Sequence, residues 1–424
     1  MPSEANEHND ASASEPASEP IKFAYVLSHP IQYQSPLLRR IAREPGLDLT
    51  VLYTSDFSVR GYKDTGFGIE MKWDVPLLDG YKYKYLPRLR DADDVYVTAP
   101  LNYGFVREFR RGGYDAIWVH GYATVNAGLA MASARLLGKP VLQRMESTLI
   151  DRQRSGAKLQ AKRAVLAGIE KFVDAVLPIG TLNAEYWRHY LPDTPQFLMP
   201  YAVDNAWFAA KTHAAAAERE QFRAQLGLEP GRPVILFASK LVERKRCIDL
   251  LEAYRLLSPD GSASRPTEPQ PYLLIVGDGD QRGELEARAL EWNWESIRFL
   301  GFQNQSELPR FFDLADVFCL PSVHEPWGLI VNEAMAAGRA VVVSDEVGSA
   351  ADLVVDGETG FVHKARDVRG LADALRRVTS EPGLAAKMGL AGAVRIASWD
   401  YEADVRGLKA ALEFVTAKRR SAKS

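Results

Sequence analysis

The chain has 424 residues, 52 basic against 55 acidic side chains, a formal charge of −3 at pH 7 and 46% apolar residues. That length implies two or three domains with ample core, and the near balance of charge creates no electrostatic demand for a nucleic-acid or strongly acidic partner. No run approaches the roughly 20 apolar residues needed to span a bilayer, and Cys247 and Cys319 lie far apart, match no metal-site spacing and read as buried free thiols of a reducing compartment.

Residues 1–20 are acidic, small and polar, without the apolar core of a signal peptide, and read as a disordered tail. A cytoplasmic protein follows, with peripheral contact at the inner membrane face left open. From Ile21, apolar runs at 21–27, 49–54, 115–120, 141–145 and 175–180 predict buried strands, and amphipathic stretches at 35–42, 125–138 and 157–173 predict helices between them. The aromatic and charged segment 61–89 interrupts this order as a hairpin-like excursion. Residues 21–204 form the first domain of this reading, and the alanine-rich, charged stretch 205–232 a linker with one helix. A second series occupies 233–395, with strands predicted at 233–239, 271–277, 297–301, 317–322 and 340–345, and a Ser/Pro/Gly loop at 258–270. The terminal stretch 396–424 carries one more amphipathic helix, free to pack back on the first domain. The expected fold is α/β: two doubly wound Rossmann-like domains facing a central cleft, with ligands outside the carboxyl ends of the strands.

The stretch 324–345, His-Glu-Pro-Trp-Gly-Leu-Ile-Val-Asn-Glu and onward, is the most informative. Glu325 precedes a predicted helix, Gly328 lets backbone approach a ligand at its start, and Glu333 lies about one turn in. Helix-start N–H groups suit a phosphate, and carboxylates suit the paired hydroxyls of a sugar or ribose. A solvated Glu333 and a capping Glu325 are the plain alternative. Lys240 and Lys245 follow a predicted strand, where two cations could clamp a diphosphate or merely face solvent. No Asp-x-Asp pair stands at a suitable strand end, so no metal and no other cofactor is expected; Asp91 and Asp93 have that spacing in a remote polar loop.

With its two glutamates eight positions apart, this stretch resembles the signature of the GT4 family of retaining glycosyltransferases, whose fold is GT-B. The similarity continues through 237–254, 275–286, 300–322 and 347–362. It implies transfer of a sugar from a UDP- or GDP-linked donor, held by the second domain, to a glycan or lipid-linked acceptor in cell-surface polysaccharide or glycolipid assembly. It also implies roles. Glu325 contacts the transferred sugar and Glu333 the ribose, while Lys240 and Lys245 meet the diphosphate. The amides of Trp327, Gly328 and Leu329 meet phosphate or sugar hydroxyls, and Gly277 and Phe302 lie near the donor, with a core aromatic as the competing reading of Phe302. The Trp327 ring packs on the sugar or is structural.

In the first domain, 115–124 is similar to the family strand that ends in histidine, which puts His120 at the cleft to meet sugar or acceptor; a structural histidine is the alternative. The sequence departs from the family in three places: lysine rather than arginine at 240, Ser-His-Pro-Ile-Gln in place of Gly-Gly in the first loop, and Tyr201-Ala202 where Asn-Gly is usual. His29, Gln32, Arg144 and Glu146 are the acceptor-side candidates, although an ion pair at a helix start explains Arg144 and Glu146 equally. A non-catalytic sugar-nucleotide-binding protein of the same fold is the rival reading.

Overall fold

The structure, a computed structural model, describes residues 19–63, 70–71, 73–150, 156–258, 270–292 and 295–421. The expected tail and most of the 258–270 loop lie outside the described residues.

The first sheet contains β1 (Ile21–Leu27), β2 (Leu47–Tyr53), β3 (Lys82–Tyr85), β4 (Ala116–His120), β5 (Val141–Arg144) and β6 (Ala175–Val176), all parallel, in the order β6-β5-β4-β1-β2-β3. The second contains β7 (Val234–Ala238), β8 (Tyr272–Val276), β9 (Ile297–Phe299), β10 (Val317–Leu320), β11 (Ala340–Ser344) and β12 (Gly360–His363), in the order β9-β8-β7-β10-β11-β12. Apart from the exposed edge strand β3, these strands are largely apolar runs because helices cover both faces. In β1, Phe23, Tyr25 and Leu27 face one layer while Ala24 and Val26 face the other. In each sheet the chain winds outward from a central strand and then returns to its other side. The crevices where ligands bind such sheets therefore open between the loops after β1 and β4, and between those after β7 and β10.

The 61–89 excursion holds a short antiparallel pairing of Tyr62–Lys63 with Glu70–Met71, and then β3, an edge strand that the periodicity missed. The stretch read as a linker belongs to the second domain instead. Its helix Asn205–Ala215 is capped by Asp204, whose carboxylate accepts from the Trp207 N–H at 2.9 Å, and Phe208 is buried against Phe312. An alanine-rich helix needs only this one aromatic stripe to dock, so composition alone concealed its packing. The terminal helix Tyr401–Ser421 does return to the first domain: Val405, Leu408, Leu412 and Val415 share a core with Phe23, Tyr25 and Leu27. At Gly407 a side chain would collide with the Leu198 carbonyl.

Arg144 is a correction. Strand alternation puts it on the same face of β5 as Leu142, the face that the terminal helix covers, not in the cleft. It is 1% exposed, and its guanidinium donates to the Met199 carbonyl at 2.9 Å and to Asp404 at 3.0 Å. It pins the terminal helix to the crossing between the domains and makes no pair with Glu146. Burial lifts the Asp404 carboxyl to about 7 against the pull of Arg144. Arg144→Met strands that carboxylate, so we expect a loss of about 3–5 kcal/mol at pH 8 in denaturant unfolding, mostly recovered by adding Asp404→Leu. A midpoint unchanged in the single variant contradicts the assignment.

Candidate active site

In the second domain, the loops after β7 and β10 lock together. The Val323 N–H donates to the Arg244 carbonyl at 2.8 Å. Glu325 is 9% exposed, and its Oε2 accepts from Arg244 at 2.7 Å and from the buried ammonium of Lys245. Burial alone would raise the Glu325 carboxyl; Lys245 and then Arg244 outweigh it and hold the group below the usual carboxylate range. Burial pulls Lys245 down from the ordinary lysine value, with Glu325 opposing. Two cations thus share one carboxylate where the strand order reverses. Gly277 and Gly279 explain how Lys240 is placed. Side chains at these glycines would collide with the Ser239 and Leu241 carbonyls, so only glycine lets the loop after β8 pack against the loop that carries Lys240.

The helix Leu329–Ala336 starts at Gly328, whose φ of 87° favours glycine and where a side chain would press on Leu320 and Val347. The Val331 N–H donates back to the Gly328 carbonyl at 2.9 Å, and the helix N–H groups before it have no intrahelical partner. Glu333, one turn in, is buried, and among the described residues its Oε2 has no hydrogen-bond partner. Burial lifts this carboxyl to about 8. It lines a pocket of about 160 Å³ with Gly277, Ser239 and Phe302 from the second domain, and with Gln32 and Trp73 from the first. Gln32, an acceptor-side expectation, therefore lies in the same pocket as Glu333. The Trp327 ring does not line this pocket: it is 4% exposed, stacks on Trp399 at 5.4 Å and donates to Asn332 at 2.9 Å. The sugar-packing reading of the ring is set aside, because it is part of the contact between the domains.

In the first domain a pocket of about 370 Å³ opens between the loops after β1, β2, β4 and β5, lined in part by Ser28, Thr54, His120, Thr124, Asn126 and Glu146. His120 faces it, yet both ring nitrogens are engaged: Nδ1 meets the Tyr25 hydroxyl at 2.8 Å, and Nε2 meets Glu146 Oε1 at 3.2 Å. The same Oε1 accepts from the Tyr201 hydroxyl, and among the described residues no hydrogen bond to Glu146 Oε2 is seen. Burial would raise Glu146, but the charge and hydrogen bond of His120, then Tyr201 and Arg144, hold it at about 2. Held that low, the group is ionised and can accept a hydrogen bond but not donate one. His29 is not among the lining residues. Burial, then the charge of His120, lowers it to about 4, and it packs on Phe57 with Nδ1 2.9 Å from the Ser28 hydroxyl.

Sequence reasoning missed Arg244, Tyr201, Tyr25 and Asn332. Arg244 was within reach, since it adjoins Lys245 in a basic loop. The others act through contacts across the fold, for which a single sequence holds no signal.

Residues 218–395 match the family model for glycosyl transferases group 1. A glycogen synthase of Mycobacterium tuberculosis is 27% identical over 334 residues, covering 76% of each chain. A D-inositol 3-phosphate glycosyltransferase of an Arthrobacter species is 28% identical over 307 residues, covering 69% of this chain and 68% of that one. Among solved structures, the sucrose-phosphate synthase of Thermosynechococcus elongatus superposes with a TM-score of 0.69 at 21% identity, over 94% of this chain and 99% of its own. An Anabaena protein crystallised with UDP and glucose superposes with a TM-score of 0.66 at 17% identity, over 93% and 99%. The fold is GT-B, and the similarities indicate a glycosyltransferase. The match to the group 1 glycosyl transferases lies over residues 218–395, within the second half of the chain, and with the relatives it indicates a transferase. Among the described residues no helix is long and apolar enough to cross a membrane.

Proposed function

We propose that this glycosyltransferase takes a UDP- or GDP-linked sugar and transfers it with retention to a hydroxyl of a glycan or lipid-linked acceptor, at the cytoplasmic side of cell-surface polysaccharide or glycolipid assembly. The observation that carries the donor reading is Glu333. A buried carboxyl with an unpartnered oxygen, facing a pocket at the start of a helix, has the chemistry to accept from a ribose diol. The free helix amides, Lys240, Lys245 and Arg244 then meet the diphosphate, and they take the place of a metal ion in neutralising the leaving group. The crystallisation of the Anabaena protein with UDP fits this reading. The first-domain pocket, with its hydroxyls, amide and carboxylate, suits a hydroxyl-rich acceptor. A same-face transfer with the donor phosphate as base is the mechanism we favour.

Proton NMR of a reaction with UDP-glucose or GDP-glucose tests this. We expect a new anomeric signal with the α configuration of the donor. A β-configured product contradicts retention, and no consumption of either donor contradicts the donor assignment.

A further inference from the structure

Tyr201 lies in the crossing between the domains, at a position where the resemblance leads one to expect asparagine. Its side chain and its backbone reach opposite halves of the cleft. The hydroxyl donates to Glu146 Oε1, the oxygen that also meets His120. The carbonyl accepts from Asn332 Nδ2 at 2.9 Å. Asn332 stands next to Glu333 on the helix Leu329–Ala336, and its Oδ1 accepts from Trp327. The ring is 6% exposed and fixed on three sides: the Arg144 guanidinium lies 4.9 Å from its centroid, with Tyr33 at 6.0 Å and Trp327 at 6.2 Å.

From this geometry we infer that Tyr201 is a positioning residue that couples the donor helix to the His120–Glu146 pair. The inference rests on the donor and acceptor pockets as assigned above. A shift of the donor helix moves Asn332, and with it the Tyr201 carbonyl. The rigid ring carries that shift to Glu146, which lines the first-domain pocket. The groups around Glu146 are His120, Arg144, Tyr25, Tyr33 and Tyr201. Of these, among the described residues, Tyr201 alone is hydrogen-bonded to the helix that carries Glu333. An asparagine at 201 would keep the backbone contact to Asn332, but it has neither the ring nor the reach to meet Glu146.

The test uses Tyr201→Phe, Glu146→Ala and the double variant of the full chain, with ADP-, UDP- and GDP-glucose as donors and release of nucleoside diphosphate as the assay. Tyr201→Phe keeps the ring and its packing, so the melting temperature is expected to stay within about 2 °C and nucleotide affinity within about two-fold. The turnover number is expected to fall about ten-fold, the size of one lost hydrogen bond to a charged group. In the Glu146→Ala background the same change is expected to cost less than two-fold, because the hydroxyl has no carboxylate to hold. Equal losses in both backgrounds, or a loss confined to melting temperature and donor affinity, would reduce Tyr201 to a packing residue and overturn the inference. If the wild type binds and turns over none of the three donors, the donor reading itself falls and takes this inference with it.

Discussion

Lys245→Met is expected to lower kcat/KM for sugar transfer by about 10²–10³-fold, the usual loss when one preorganised charge is removed from a developing anion. The structure gives this substitution two separate effects. It removes a buried cation from the loop after β7, and it leaves Glu325 with Arg244 as its remaining partner. The Lys245 side chain is 8% exposed whereas that of Arg244 is 46% exposed, so the remaining partner is the more screened of the two. Breaking a buried pair costs about 3–5 kcal/mol when no partner remains, and Arg244 reduces the expected loss to roughly half of that. Combining Lys245→Met with Glu325→Gln is expected to restore most of the unfolding midpoint but none of the turnover. Recovery of both together would mean that Lys245 matters only through Glu325.

Glu333→Gln is expected to act in opposite directions on stability and on binding. In the free protein the carboxyl is buried, and burial has lifted it from 4.5 to about 8. As pH rises from 4.5 to 8, the unfolded chain gives up a proton that the folded chain retains, so folding stability declines across that window. The variant lacks this decline. Its melting temperature should equal that of wild type near pH 5 and exceed it at pH 8. Binding responds the other way. An ionised carboxylate accepts from a diol, whereas glutamine does so without charge, and a hydrogen bond to a charged group contributes about 1.5–3 kcal/mol. Nucleotide affinity is therefore expected to fall about 10–100-fold. A variant that is neither more stable at pH 8 nor weaker in binding contradicts the assignment of Glu333.

The fold was legible because parallel strands covered on both faces must be continuous apolar runs, and because strand and helix alternate strictly. The order failed to show at β3: an exposed Lys-Tyr-Lys-Tyr edge strand has no buried face to impose a pattern. The second-domain half of the site was legible for a similar reason. Glu325, Gly328 and Glu333 lie within one loop and one helix, and local spacing fixes their geometry. Arg144 and Glu146 show the limit. They are two residues apart, as polar as each other and at the same strand end, yet one anchors a helix 260 positions away and the other faces a pocket. Which is which depends on the face that the terminal helix covers, and that is settled by tertiary packing. Gln32 likewise sits in a first-domain loop but lines the pocket of Glu333, because the cleft brings the two domains together.

The central claim is that a nucleotide binds with its ribose on the ionised form of Glu333. Calorimetric titration of UDP and GDP into wild type and Glu333→Gln, at pH 6 and pH 8 in two buffers of different ionisation heat, tests it most directly. The account predicts that one nucleotide binds wild type, more tightly at pH 8 than at pH 6, with net release of a proton at pH 6, and that the variant loses both the affinity and the pH dependence. Binding with the same pH dependence in both proteins, or no binding of either nucleotide at millimolar concentration, contradicts it.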